Sequence, residues 1–356
     1  MAGKSLPKGP KVIVRQEGHL MRIILNRPRV INSLDLEMVR LIKRAFEEAE
    51  AASRIKCILM QGNGEKGFCA GGDIKALTEA VEEDIQERAL LFFEEEYGLD
   101  LLIHRFPKPV VALVDGITMG GGLGLAAGSD IVVATETTRM AMPETRIGFF
   151  PDVGATGWLF TKCPRGYPEF LALTGYEMVG SECVRLGLAT HLIPSSKLSS
   201  VVRILKGHAA QLSRVKSEAV HELSALIEPL SQRDIPRKSA MDAWVDTYFS
   251  GKNSLSEMLS SLSQCRLEHE LCEGVFERLS ERSPTALVLT LMLLRHNDGQ
   301  PLDEVFHADR KAARFIINHP DYREGVRARL LDKNDKPRWK PDAVHKVKPF
   351  DLSLCG

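Results

Sequence analysis

The sequence predicts an α/β protein: a core of alternating strands and helices, followed by an almost purely helical region. Three observations predict this class. Short runs rich in β-branched and apolar residues alternate with longer stretches of helical periodicity. The last run that could form a strand is 190–194. Beyond about residues 195–215 the apolar residues recur at helical spacing almost to the end, so a second, α-helical region begins there.

The first elements follow from local patterns between Lys11 and Ala52. Residues 12–14 and 21–25 are β-rich, and a turn at 17–19 would join them as a hairpin. Ser33 can cap a helix that runs from about 35 to 52. The apolar face of that helix has helical spacing and consists of Met38, Val39, Ile42 and Phe46.

The following elements continue the alternation of strands and helices. The predicted strands are 57–60, 110–114, 131–134 and 140–142. The predicted helices are a stretch from about Asp73, a second from about 81 to 104, a glycine-rich helix that starts at Gly120 and one near 155–161. The strand 140–142 would deliver Glu144 at its tip.

Composition argues against several classes of protein. The chain has 356 residues, of which 44% are hydrophobic and 26% charged, as expected for a protein with a sizeable core. The 47 basic and 47 acidic residues cancel, which disfavours nucleic-acid binding through bulk charge. The seven cysteines show no C-x-x-C spacing, so we expect neither a zinc site nor a disulfide framework, and a reducing compartment.

No apolar run is long enough to span a membrane, and residues 1–11 lack the apolar core of a secretory signal. A processed precursor would also begin in this way. We therefore expect a location in the mitochondrial matrix if the protein is eukaryotic and processed, and in the cytoplasm otherwise.

Two glycine clusters are candidates for binding a developing oxyanion. They are Gly71-Gly72 and Gly120-Gly121-Gly122, each directly before a predicted helix. Glycine lets the backbone approach a ligand, and free N–H groups at a helix start favour negative charge. The alternatives are a tight turn before a helix capped by Asp73, and close packing of the second helix against a neighbour. Neither cluster is a Walker motif or a dinucleotide fingerprint.

Three acids are candidates for acid, base or nucleophilic work: Glu144 in Met-Pro-Glu-Thr, Asp152 after Pro151, and Glu96. Each has a simpler interpretation. Glu144 could be a helix cap or a solvated charge, Asp152 the N-cap of the next helix, and Glu96 part of a solvated acidic face. The sequence contains no H-x-x-x-H pair and no G-x-S-x-G elbow, so a metal or serine hydrolase is poorly supported.

Taken together, the ordered motifs resemble the crotonase superfamily, also called the enoyl-CoA hydratase/isomerase family. The residues that carry the resemblance span nearly the whole chain. They are Leu25-Asn26-Arg27-Pro28, Asn32-Ser33-Leu34, Gly67 to Lys75, Asp115 to Gly122, Ala141 to Thr145, Pro151 to Gly154, Ser283-Pro284-Thr285, Glu324 to Ala328, Leu331-Asp332-Lys333 and Trp339-Lys340-Pro341.

This resemblance implies a crotonase-like spiral of ββα units that binds an acyl-CoA. Residues 1–200 would form that acyl-CoA-binding core, and residues 201–356 an α-helical C-terminal region typical of the hydrolase branch. No cofactor and no metal are implied, because coenzyme A enters as part of the substrate. The chain could form a homo-oligomer, and neither a membrane nor a direct nucleic-acid partner is expected.

The resemblance also implies roles for individual residues. The N–H groups of Gly72 and Gly121 would be the two oxyanion donors. Glu144 and Asp152 would be the catalytic acids, and substrate contacts would come from Glu96, Gly121, Glu144 and Asp152. Coenzyme A would be bound by Arg29, Ala70, Gly71, Gly72 and Asp73.

One position separates the branches of the superfamily. Gly124 stands where the hydratases carry a glutamate, so the resemblance favours hydrolysis of a short 3-hydroxyacyl-CoA thioester over hydration or isomerisation. Whether Glu144 is a nucleophile or a general base stays open. A further alternative is a structural role, because some mitochondrial ribosomes contain a subunit that resembles this hydrolase branch.

Overall fold

The computed structural model describes residues 9–74, 85–265 and 268–348. They form two compact units, each assembled from separate stretches of the chain. The sheet unit comprises the described residues within 1–72, 98–140 and 179–235. The helical unit comprises those within 73–97, 141–178 and 236–356.

The strands form two sheets. The strands are β1 Val12–Glu17, β2 Leu20–Leu25, β3 Cys57–Gly62, β4 Gly67–Cys69, β5 Val110–Val114, β6 Ile117–Met119, β7 Ile131–Ala134, β8 Arg139–Ala141, β9 Met178–Val179 and β10 His191–Leu192. The larger sheet has the order β1-β2-β3-β5-β7-β10, and the smaller one β4-β6-β8-β9. The unit boundaries fall within β8 and β9.

The larger sheet belongs to the sheet unit and is parallel except at one edge. β1 and β2 are the predicted hairpin, and they pair antiparallel from Val12 opposite Leu25 to Glu17 opposite Leu20. From β2 onward the neighbouring strands pair in parallel. Strands buried on both faces need continuous apolar runs, and β5 and β7 are buried along their whole length.

The α-helices carry most of the remaining described residues. They are Leu36–Ala51, Ile85–Arg105, Gly121–Ala127, Ala155–Lys162, Tyr167–Thr174, Ser181–Arg185, Leu198–His208, Lys216–Ile227, Ser239–Phe249, Leu255–Ser263, His269–Ser280, Pro284–Asn297, Leu302–Asn318 and Pro320–Val326. All the described elements after β10 are helices, which confirms the predicted change from alternating strands and helices to helices alone. The division of the chain at about residue 200 stays a proposal.

The core of the sheet unit lies between the larger sheet and the helices Leu198–His208 and Lys216–Ile227. Leu59 and Val111 on the sheet belong to one buried cluster with Val201 and Leu223 on these helices. Burying such apolar side chains supplies the main driving force for this packing.

The predicted helix near 35–52 is confirmed, but its cap is not the predicted one. The helix is Leu36–Ala51, and Met38 and Phe46 of its predicted apolar face are fully buried. Its N-cap is Asp35, whose carboxylate accepts from the Met38 N–H at 2.9 Å. Ser33 lies too early, because the next residue, Leu34, donates its N–H to the Gly71 carbonyl and is still extended.

Several other predicted elements are confirmed with small changes of bounds. The predicted strands 110–114 and 131–134 match β5 and β7. The strand predicted at 140–142 is 139–141, so Glu144 follows it by three residues. The three-residue strands β4 and β6 were not predicted, because such short strands carry little periodicity. The helix predicted from about Asp73 falls mainly on residues outside those described.

The expectation of no disulfide is wrong at one pair of cysteines. Cys265 and Cys272 of the helical unit form a disulfide across a separation of seven residues. The indole N–H of Trp244 donates to the Cys272 sulfur at 3.2 Å. Cys57 and Cys163 are thiols. Scattered cysteines in a sequence do not reveal which pair the fold brings together.

No helix in the described part of the chain combines the length and the apolarity needed to cross a membrane.

Close packing at Gly122 provides a test of the fold. An ideal Cβ on Gly122 would lie 2.4 Å from the Cys69 carbonyl oxygen, so Gly122→Ala should destabilise the protein by about 1–3 kcal/mol. Gly207→Ala is the matched control, since nothing lies within 4 Å of its Cβ position. The control should be neutral or stabilising, because alanine favours a helix more than glycine does. Urea unfolding measures both, and equal stabilities would contradict the packing.

Candidate active site

The two predicted glycine clusters meet in the sheet unit. Gly71 has φ +92°, a conformation that side chains disfavour, in the loop after β4. An ideal Cβ on Gly71 would lie 3.0 Å from the Met119 carbonyl oxygen and 3.3 Å from the Gly121 nitrogen. Only glycine therefore lets the loop after β4 pack this closely against the start of the helix Gly121–Ala127.

The N–H groups of Gly72 and Gly121 have no acceptor within the described residues. Gly121 is the first residue of its helix, and its N-cap, Gly120, has φ +52° and no capping side chain. At the other cluster, the bridge between Leu34 and Gly72 uses the Gly71 carbonyl rather than the Gly72 N–H. The alternative interpretation of the second cluster, close packing of its helix against a neighbour, is also correct. The residue that packs closely is Gly122, against Cys69. The role as oxyanion donors stays a prediction.

The residues predicted to bind coenzyme A are only partly brought together. Arg29 is exposed in the short 3₁₀ turn Pro28–Val30 of the sheet unit. The segment after this turn is tied to the glycine loop, because the Ala70 N–H donates to the Ile31 carbonyl at 2.9 Å. Asp73 belongs to the helical unit and is half-buried. The coenzyme A role of these residues stays a prediction.

Glu144 lies in the helical unit, as the first residue of the 3₁₀ helix Glu144–Ile147 after Pro143. Its side chain is buried, and Oε2 has no hydrogen-bond partner among the described residues. Burial raises the pKa of Glu144 well above its usual range, and the neighbouring charge of Asp152 raises it further. The interpretation of Glu144 as a solvated charge is therefore wrong.

Asp152 is buried in the same unit and accepts a hydrogen bond from the Tyr97 hydroxyl at 2.8 Å. Burial raises the pKa of Asp152 to about 7, although the Tyr97 hydrogen bond opposes that rise. The interpretation of Asp152 as an N-cap is wrong, because the N-cap of the helix Ala155–Lys162 is Gly154 and no side chain caps it.

Glu96 is only 2% exposed, so it is not part of a solvated face. The exposed member of its acidic run is Glu94, which forms an ion pair with Arg310. Glu96 instead lies near enough to Tyr97 for its charge to raise the pKa of that phenol, after the larger effects of burial, Asp152 and Asp309. Helical geometry explains the difference, since residues two apart point in different directions.

Two residues of this region were missed by the sequence analysis as functional groups: Tyr97 and Asp309. Asp309 lies on the helix Leu302–Asn318, where its carboxyl is fully buried and accepts from the Gly154 N–H at 2.7 Å. A signal existed in the sequence. Asp309 stands on the apolar face of that helix, three residues after Phe306 and three before Ala312.

We call Glu144, Asp152 and Asp309 the carboxyl cluster. Burial raises the pKa of all three groups, and the charge of Asp152 raises the pKa of the other two. Like charges close together disfavour simultaneous ionisation, so burial and mutual repulsion both favour the protonated forms of these acids. A carboxyl group with a pKa near 7 can both take up and release a proton under physiological conditions, which suits acid–base catalysis.

Comparisons with known proteins agree with the fold and the motifs. The family model described as enoyl-CoA hydratase/isomerase matches residues 20–353. The chain is 35% identical over 353 residues to a mitochondrial 3-hydroxyisobutyryl-CoA hydrolase of Danio rerio, which covers 98% of this chain and 89% of that protein. It is 36% identical to the protein of the same name from Gallus gallus, over 97% of this chain and 88% of that protein.

A solved structure agrees as well. A carnitinyl-CoA dehydratase from Mycobacterium thermoresistibile superposes with a TM-score of 0.86 at 30% identity, covering 98% of this chain and 96% of the other. The chain therefore belongs to the enoyl-CoA hydratase/isomerase family, the crotonase superfamily predicted from its motifs. It is a crotonase-type acyl-CoA enzyme, and the predicted crotonase-like α/β fold with a helical C-terminal region is confirmed.

The hydrogen bond from Tyr97 to Asp152 can be tested by titration. Tyr97→Phe removes a bond that stabilises the ionised carboxylate, so the pKa of Asp152 should rise from about 7 by on the order of one pH unit. Carboxyl ¹³C NMR measures this value directly. Tyr322→Phe is the matched control, because the Tyr322 hydroxyl is buried without a partner among the described residues. Equal titration in both variants would contradict the assigned role of Tyr97.

Proposed function

We propose that this enzyme hydrolyses the thioester of a short 3-hydroxyacyl-CoA, releasing the free hydroxy acid and coenzyme A. The favoured substrate is 3-hydroxyisobutyryl-CoA, an intermediate of valine degradation. The observation that carries the proposal is the buried Asp152, which has a pKa near 7 and a hydroxyl donor in Tyr97. The printed names of the relatives support the same substrate.

In this proposal the glycine N–H groups bind the thioester oxygen. Gly72 and Gly121 donate to the carbonyl as negative charge develops on it, and each such donor contributes roughly 10²–10³ in rate. Their lack of acceptors among the described residues supports this role. The donors need no side chain, which is consistent with glycine at both positions.

Glu144 begins the chemical step in one of two ways. As a nucleophile, its carboxylate forms a bond to the thioester carbon, the C–S bond breaks, and coenzyme A leaves as a thiolate that takes up a proton. Water then hydrolyses the mixed anhydride. As a general base, Glu144 instead removes a proton from the attacking water. The buried Glu144 carboxyl serves either route.

Asp152 recognises the 3-hydroxyl of the substrate or transfers a proton, with Glu96 as a second substrate contact. A carboxylate in an apolar pocket costs free energy unless it finds a donor. Tyr97 supplies one hydrogen bond, and the substrate hydroxyl would supply another. Without that hydroxyl the buried acid is left with fewer partners than it can bind, which disfavours plain acyl chains.

The helix Gly121–Ala127 argues against hydration of a double bond. Its sequence is Gly-Gly-Leu-Gly-Leu-Ala-Ala, and all seven residues are buried. A hydratase places a glutamate at the position of Gly124, according to the family resemblance. This helix offers no carboxyl group to activate water there.

The location of the enzyme is also a proposal. The relatives from Danio rerio and Gallus gallus carry the word mitochondrial in their names. By analogy we propose the mitochondrial matrix if the protein is eukaryotic and processed, and the cytoplasm otherwise.

Glu144→Gln should fold and be nearly inactive. Glutamine fills the same volume but can neither attack a carbonyl nor accept a proton, so turnover should fall by roughly 10³-fold or more. Thiol release and melting temperature should be measured on the same preparation. The melting temperature should not fall, because Glu144 Oε2 makes no hydrogen bond within the described residues that the substitution could remove. Activity within a few-fold of the wild type would remove Glu144 from the mechanism.

The substrate hydroxyl should be recognised. We expect kcat/KM for 3-hydroxyisobutyryl-CoA to exceed that for isobutyryl-CoA by at least roughly tenfold, because the plain chain has no hydroxyl to donate to the buried Asp152 carboxyl. Asp152→Ala should reduce this preference. Equal wild-type rates on the two thioesters would refute the assigned substrate class and leave only a general acyl-CoA enzyme.

A further inference from the structure

The helix Leu302–Asn318 packs against the turn that carries Asp152. Val305 lies beside Gly157, where an ideal Cβ would come within 2.6 Å of the valine Cγ2. Phe306 lies beside Gly154, where an ideal Cβ would come within 3.1 Å of the phenyl Cζ. These two contacts fix the helix against the segment from Asp152 to Gly157, all within the helical unit.

The turn after Asp152 has an unfavourable backbone conformation. Val153 has φ +50° and Gly154 has φ +77°, both in the left-handed region. For a β-branched residue such as Val153 this conformation is strained, so surrounding contacts must hold it. One contact is the indole N–H of Trp158, which donates to the Val153 carbonyl at 2.9 Å.

Asp309 supplies a second contact at the same turn. Its Oδ2 accepts the Gly154 N–H at 2.7 Å, and its side chain is fully buried. Its Oδ1 has no partner among the described residues. A carboxyl group is costly to bury, and the hydrogen bond from the Gly154 N–H offsets part of that cost.

We propose that Asp309 is a positioning residue for Asp152: by accepting the Gly154 N–H, it holds the left-handed turn in the conformation that directs the Asp152 carboxylate toward the Tyr97 hydroxyl. The expected effect of Asp309 on substrate preference rests on the proposed function, in which Asp152 recognises the 3-hydroxyl. The expected effect of Asp309 on the conformation of the turn is independent of that function.

The protonation state of Asp309 suits this role. Burial raises the pKa of Asp309 well above its usual range, and the charge of Asp152 adds to the rise, while the Gly154 N–H and Arg310 oppose it. The raised pKa of Asp309 favours its neutral form. A neutral acid still accepts the Gly154 N–H through one oxygen and adds no second negative charge beside Asp152.

The test compares Asp309→Asn with Asp309→Leu. Asparagine keeps a carbonyl oxygen for the Gly154 N–H and resembles the neutral acid, whereas leucine removes the acceptor. We expect Asp309→Asn to retain at least about half of the wild-type kcat/KM and the full preference for 3-hydroxyisobutyryl-CoA over isobutyryl-CoA. Asp309→Leu should lose roughly tenfold or more in kcat/KM on the hydroxylated thioester and lose most of that preference.

Asp321→Asn and Asp321→Leu are the matched controls. Asp321 is also a buried carboxyl of the helical unit, and it accepts the Lys340 N–H at 2.7 Å. Its second hydrogen bond comes from the Ser283 hydroxyl. Neither bond involves the turn after Asp152. Its variants should lower the melting temperature without changing the preference between the two thioesters. If Asp309→Leu does not fold, Asp309→Ala, which also removes the acceptor side chain, gives the same comparison.

Hydrogen exchange separates failure of this proposal from failure of the proposed function. The peptide that contains Gly154 should exchange faster in Asp309→Leu, or in Asp309→Ala, than in Asp309→Asn and the wild type. If the wild type shows no preference for the hydroxyl, the proposed function fails, and exchange alone decides the role of Asp309. Unchanged exchange, or an Asp309→Asn variant as impaired as Asp309→Leu, would overturn the proposal.

Discussion

The burial of carboxyl groups away from water is the constraint on which the proposed chemistry of this protein depends. Glu144, Asp152 and Asp309 lie in one unit among apolar and aromatic side chains, where ionisation is costly. Their environment moves the pKa of Asp152 to about 7. The same side chains on a surface would be permanently charged and unable to hold a proton at neutral pH.

Aromatic side chains create that environment. The rings of Phe93 and Phe149 stack at 5.0 Å, and Tyr322 packs on Phe149 at 5.6 Å. Tyr97 packs on Phe306 at 6.2 Å and turns its hydroxyl to Asp152. The Asp152 carboxyl is buried in this region, and the Tyr97 phenol compensates part of the cost of burying it. Such burial raises the pKa of the acid toward neutrality.

The helical C-terminal part of the chain participates in this arrangement. The helix Leu302–Asn318 contributes Asp309 and Phe306 to the segment around Asp152, about 155 residues earlier in the sequence. The C-terminal helices therefore do more than extend the fold. In the sheet unit the close contact depends on glycine instead. Only a residue without a side chain lets the loop after β4 pack against the helix that starts at Gly121.

The sequence by itself determined the family, the α/β class, the strands β5 and β7 and the identity of Glu144 and Asp152 as candidates, because motifs and apolar periodicity are local properties. Tertiary structure alone decided that Glu96 is buried, that Tyr97 donates to Asp152, and that Asp309 accepts the Gly154 N–H. These facts could not be predicted, since burial and hydrogen bonding depend on which distant segments meet. A pKa follows from that environment and not from the residue type.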